Sequence, residues 1–165
     1  MTENAIQALI TERKKHSSNP NSVKLIDHVK YIGGLESGQC YENAKAGMTI
    51  NALGTGNHNI MASGWQVGNW NNTYEGYEIV SHYWNIDGRD YKHYDLSEGE
   101  WNAGAYVYDG ELLLYAQNAF KKGQTKNLQP LSLLYNEDKW RTYTVIGNEE
   151  VVNDIDSLMT ANLFA

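Results

Sequence analysis

One cysteine in 165 residues leaves this chain without an internal disulfide, which fits a reducing compartment. Proline is scarce at two and phenylalanine equally so. No apolar run approaches the roughly 20 residues that cross a bilayer as a helix, so no membrane partner is expected. The opening Met1-Thr2-Glu3-Asn4 has neither the basic nor the apolar region of a secretory leader. The expected setting is the cytoplasm. Positive charge is also short: 13 Lys and Arg against 20 Asp and Glu leave a formal net charge of −7. Such a surface repels phosphate backbones, so nucleic acid is not an expected partner. The basic run Arg13-Lys14-Lys15-His16 reads as a solvated helix end.

What is present is ordinary globular chemistry with an aromatic bias. Hydrophobic residues make up 41% of the chain and charged residues 20%, enough to build a core without staples. No repeat or linker divides it, so residues 1–165 read as a single domain. Twelve Tyr and five Trp suit half-buried strands and wet clefts, because each pairs apolar bulk with a polar handle.

Ile6, Leu9, Ile10 and Arg13 recur at helical spacing behind Thr2, a candidate N-cap, and predict a helix to about Lys15. Val23 to Tyr31 is compatible with helix or strand, and Gly33-Gly34 signals a turn. A short helix is expected from about Gln39 to Ala46, stopped by Gly47. Strands are expected over Ile60–Val67, Glu75–Ile86, Asp90–Asp95, Gly104–Tyr108 and Trp140–Ile146, with a closing helix from Val151 to Leu163. In the strongest of these, Val80, His82, Trp84 and Ile86 share one face, which should pack inward. The fold class is therefore α+β: N-terminal helices packed on an antiparallel β-sheet.

Three residues in this frame carry chemistry. Cys40 falls in the first turn of a predicted helix, where unpaired amides and the helix dipole favour a thiolate. Those amides, with Gln39 beside them, could also receive an oxyanion. If the helix covers the inward face, His82 meets the sulfur across the helix–sheet interface. Asp95 lies on the return strand. A four-residue loop over Asp87–Asp90 sets it opposite His82, with Cβ atoms about 5 Å apart. A two-residue loop sets His93 there instead and leaves Asp95 diagonal, roughly 7–8 Å away. Either way a carboxylate can hold the imidazole's second N–H.

Cys40-Tyr-Glu-Asn43, His82-Tyr-Trp84 and Tyr94-Asp95 together resemble the papain-like and transglutaminase-like cysteine enzymes, over about residues 36–97. The resemblance implies a papain-like core, with Cys40 as nucleophile, His82 as general base, Asp95 as its orienter and Trp84 as a shield. The glutamine of the fuller papain signature stands several residues before the cysteine; here Gln39 is adjacent. The implied activity is that of a cysteine hydrolase or acyl transferase (peptidase, amidase or deconjugating enzyme), on an amide or thioester substrate such as a protein or peptide, with no cofactor.

Competing readings are plain. Cys40 can be a small core residue, His82 a satisfied core histidine, and Asp95 the cap of the turn after it. His82, His93 and Asp95 could hold a metal, though their spacing matches no standard zinc pattern, and no metal is expected. Trp65, Trp70 and Tyr74 could line a substrate cleft, with Trp65 as its wall beside Cys40, or could simply pack as a strand and a hairpin loop. They could also form the binding surface of a non-catalytic or degenerate α+β interaction protein, of the kind a phage encodes.

Overall fold

The computed structural model describes residues 2–36, 40–49, 59–68, 77–98, 104–114, 117, 132–136, 139–143 and 149–151. Helix α1 spans Thr2–His16, with Glu3 in its first turn and four basic residues in its last, which complements the helix dipole. Its buried residues Ala5, Leu9 and Arg13 repeat every four positions and form one stripe. The strands are β1 (Val23–Ile26), β2 (Val29–Leu35), β3 (Asn59–Gly68), β4 (Tyr77–Asp87), β5 (His93–Ser97), β6 (Ala105–Asp109), β7 (Ser132–Asn136), β8 (Lys139–Tyr143) and β9 (Glu149–Val151). Helix α2, Cys40–Gly47, lies between β2 and β3 in the chain. No helix among the described residues is long and apolar enough to cross a membrane.

All nine strands join one sheet in the order β1-β6-β3-β4-β7-β8-β9, with β5 pairing both β4 and β2. The architecture is α+β, but the sheet is mixed rather than antiparallel throughout, because β2 runs parallel to β5. A parallel pair needs a long crossover, and α2, β3 and β4 supply it. Val23 to Tyr31 resolves into two strands separated by Asp27 and His28. The Gly33-Gly34 pair does not end a strand. Both residues take positive φ (71° and 96°) inside β2, where the register to β5 shifts between Tyr31 and Leu35. Val151, expected to open a helix, closes β9, and the residues after it lie outside the described set.

Both faces of the central strands are covered, so the alternation in β4 separates two buried environments rather than inside from outside. On one face α1 packs Ala5, Ile6 and Leu9 against Trp65, Val67, Ile79, Val107 and Leu133. Helix α2 covers the same face further along, with Tyr41 and Ala44 against Met61 and Tyr83. The other face carries Ala62, Trp84 and Tyr106, flanked by partly buried Ile26, Val29, Ile86 and Tyr108. Arg13 is not solvated. It is fully buried and pairs with Asp109 on β6 at 2.5 Å, and Asp109 also accepts the Trp65 indole N–H at 3.0 Å.

One property of β4 positions everything that follows. Along one edge it pairs with β3 from end to end. Along the other it pairs with β7 over residues 77–80 and with β5 only at Asn85 and Ile86. Among the described residues the two ladders on that edge are separated by residues 81–84. His82 sits in this break.

Candidate active site

Cys40 is the first residue of α2, half-buried, with a free thiol. The helix is tied to the sheet by amide side chains. Asn43 donates to Glu36 O at 2.7 Å and to Ser97 Oγ at 3.0 Å, which links α2 to β5. Asn85 donates to Ala44 O at 2.8 Å and Asn59 to Gly47 O at 3.0 Å, which links α2 to β4 and β3. The Tyr41 and Tyr83 rings meet edge-on at 5.2 Å.

These contacts correct the expected placement. The body of α2 packs on the Tyr83 and Asn85 face of β4, opposite the His82 face. Its first residue, Cys40, is the one that acts on the imidazole, beside the break between the β7 and β5 ladders of the described strands. Cys40 lies near enough to His82 that it helps to raise the imidazole pKa. The imidazole Nε2 lies 2.7 Å from Asp95 Oδ2.

Asp95 arrives by a register that neither hairpin proposal anticipated. Asp87 N–H donates to Lys92 O at 2.8 Å, so the four-residue loop covers residues 88–91, one position later than expected. Asx turns at Asp87 and Asp90 shape it, their carboxylates accepting the N–H of Arg89 and Lys92. Asn85 then pairs with Tyr94 and Ile86 with His93, which sets Asp95 beside Trp84 and diagonal to His82. The face parity is unchanged because the shift preserves odd-to-even pairing. Asp95 Oδ1 also accepts Ser97 N–H at 3.0 Å, so it serves the local turn and the histidine together.

Trp84 lies against His82, the rings 6.1 Å apart and 22° from parallel. Its indole N–H donates to His93 Nδ1 at 2.8 Å. No cluster of three or more His, Cys, Asp or Glu suited to a metal forms among the described residues. Room for these rings comes from Gly64, which the ladder sets opposite His82. A Cβ there would meet the Val107 carbonyl and stand 2.6 Å from the Trp84 ring.

Trp65 is not in a cleft. The two-residue period of β3 turns it to the opposite face from His82, where it is fully buried and bonded to Asp109. That also removes it from any exposed binding surface. Gln39, Trp70 and Tyr74 lie outside the described residues. Sequence reasoning missed Tyr106 and Gln66. The spacing of Gly104–Tyr108 showed a strand, but nothing local revealed that this strand pairs with β3 and so brings Tyr106 to Asp95.

Electrostatics distinguish the two histidines. Burial pulls the His82 pKa down, but hydrogen bonds and charge from Asp95 and Cys40 outweigh it and raise it to about 10. For His93, burial and then the Lys24 charge lower the pKa from 6.5. The linkage signs are opposite. His82 holds its proton more tightly folded than unfolded, so its contribution is complete below about pH 6.5 and is lost as pH rises toward 10. His93 binds its proton less tightly when folded, so its contribution is present above about pH 6.5 and declines as pH falls below that. Urea midpoints measured across this range should therefore decline on the alkaline side, and His82→Gln should flatten that alkaline limb. A wild-type limb that survives unaltered in the variant would remove the assigned charge from His82.

The fold and site together define an α+β protein with a cysteine–histidine–aspartate cluster at a helix start beside its sheet. Compared with known proteins, the chain matches no family model, no curated protein sequence and no solved structure.

Proposed function

We propose that this protein is a cysteine-nucleophile hydrolase or acyl transferase of papain-like arrangement, acting on an amide or thioester carried by a protein or peptide in the cytoplasm. One observation supports the reading: the buried His82 imidazole lies 2.7 Å from the Asp95 carboxylate, with Cys40 near enough to help raise its pKa. A histidine held by a fixed carboxylate beside a partly exposed cysteine has the arrangement of a nucleophile–base pair with its orienter.

The chemistry follows from these positions. His82 takes the thiol proton, and the Cys40 sulfur attacks the substrate carbonyl carbon to form the C–S bond. The imidazolium then returns that proton to the departing amine or thiol as the C–N or C–S bond of the substrate breaks. Water or an acceptor amine, deprotonated by His82, attacks the thioester. Its collapse expels the Cys40 sulfur, which regains the proton. Asp95 holds the imidazole in place throughout.

The test is alkylation of Cys40 by iodoacetamide as a function of pH. An ordinary thiol titrates near about 8.5, whereas one paired with an imidazolium stays reactive well below about 7. The expected result is rapid labelling at mildly acidic pH in the wild type and its loss in His82→Ala. Labelling that follows an ordinary thiol curve, or that ignores His82, would make Cys40 a structural residue and end this reading.

A further inference from the structure

Tyr106, on β6, is buried, and its hydroxyl donates to Asp95 Oδ2 at 2.6 Å, the same oxygen that holds His82. Its ring meets Trp84 edge-on at 5.2 Å and His82 at 6.0 Å. Behind it stands Gln66, almost fully buried and directly across the ladder on β3. Gln66 acts on the Tyr106 phenol in the direction opposite to burial, lowering its pKa. The hydroxyl itself donates to Asp95.

We infer that Tyr106 is a positioning residue for the Cys40–His82 pair, its hydroxyl pinning the Asp95 carboxylate in the place from which it holds the imidazole. The inference rests on the nucleophile–base reading of that pair. A buried carboxylate persists as an anion only with donors enough to replace water. Asp95 has three in Ser97 N–H, His82 Nε2–H and the Tyr106 hydroxyl. Removing the phenol leaves Oδ2 with His82 alone. The carboxylate is then less firmly placed against the imidazole, its support for the His82 charge weakens, and a neutral imidazole no longer supports a thiolate. The phenol itself stays protonated: burial and the Asp95 charge drive its pKa far above the ordinary value, against the smaller pull of Gln66. Tyr106 is thus a permanent donor across the working pH range.

Tyr106→Phe removes only the hydroxyl and retains the ring contacts. Two readouts separate positioning from packing: the ratio of Cys40 alkylation rates at about pH 6 and about pH 9, and the ¹⁵N shifts of the His82 ring at neutral pH. The expected result is a fall in that ratio of about tenfold, equal to one pH unit of protonation, with loss of the doubly protonated imidazole signature. A variant that melts earlier but keeps the wild-type ratio and ring shifts overturns the inference, because Tyr106 would then only fill space. Should Tyr106→Phe not fold, Gln66→Leu decides, with a smaller fall of about two- to threefold expected from weakening the donor. An unchanged ratio there also overturns it. A wild-type protein with an ordinary thiol profile and a neutral His82 would instead sink the nucleophile–base reading itself.

Discussion

Cys40→Ala is expected to abolish acyl transfer while leaving the fold intact. Incubated with p-nitrophenyl acetate, the wild-type protein should release a burst of p-nitrophenol of about one equivalent per chain, as the acetyl group moves to sulfur. The variant should show no burst, and any steady turnover should fall by about ten-thousandfold or more, since removing a nucleophile leaves only binding and electrostatic effects. The structural cost is small. Cys40 is half-buried at the first position of α2, and the contacts that seat the helix belong to Tyr41, Asn43, Ala44 and Gly47. A thermal midpoint close to the wild type, with loss of the burst, is the expected pair of results. A burst of undiminished size in the variant would place the nucleophile elsewhere.

The largest effect on stability belongs to a residue far from this chemistry. Asp109 accepts from Arg13 Nε at 2.5 Å, from Arg13 Nη2 at 3.3 Å and from the Trp65 indole at 3.0 Å, all of it buried. Asp109→Ala takes its nearest carboxylate from a fully buried guanidinium and its acceptor from the Trp65 indole, for which a cost of about 3–5 kcal/mol is expected. In a chain of this size that lowers the thermal midpoint by roughly 6–20 °C. Replacing both partners, as Arg13→Met with Asp109→Leu, should recover part of the loss, because the buried pair is then removed together while Glu111 keeps its Ser17 and Ser18 donors. The check is a comparison of urea midpoints for the single and double variants. A double variant no more stable than Asp109→Ala would show that the ion pair contributes more than the desolvation it offsets. Glu111 supports the same corner: burial acts to raise its pKa, but the Ser17 and Ser18 donors and Arg13 outweigh that and hold it below the usual carboxylate range.

The sequence by itself determined what local patterns can encode. Four-residue spacing placed α1 and its apolar stripe. A cysteine behind glycine-containing turn residues, with Gly47 beyond, placed α2. Strict alternation placed His82, Trp84 and, by parity, Asp95 on one face of the sheet. Parity survives a shifted loop, which is why the His82–Asp95 contact was legible although the hairpin register was not. Tertiary structure decided everything that depends on which strands become neighbours. The parallel β2–β5 pair, the break between the β7 and β5 ladders on β4 and the contact of Tyr106 with Asp95 all arise from pairings between segments distant in the chain. Arg13 looked like part of a solvated basic helix end because its partner Asp109 lies 96 residues away. Trp65 looked like a cleft residue until the β3–β4 register set it opposite Ser81, one position from the Gly64–His82 pair and therefore on the other face. Periodicity assigns a side chain to a face, but only the ladder of neighbouring strands decides what that face meets.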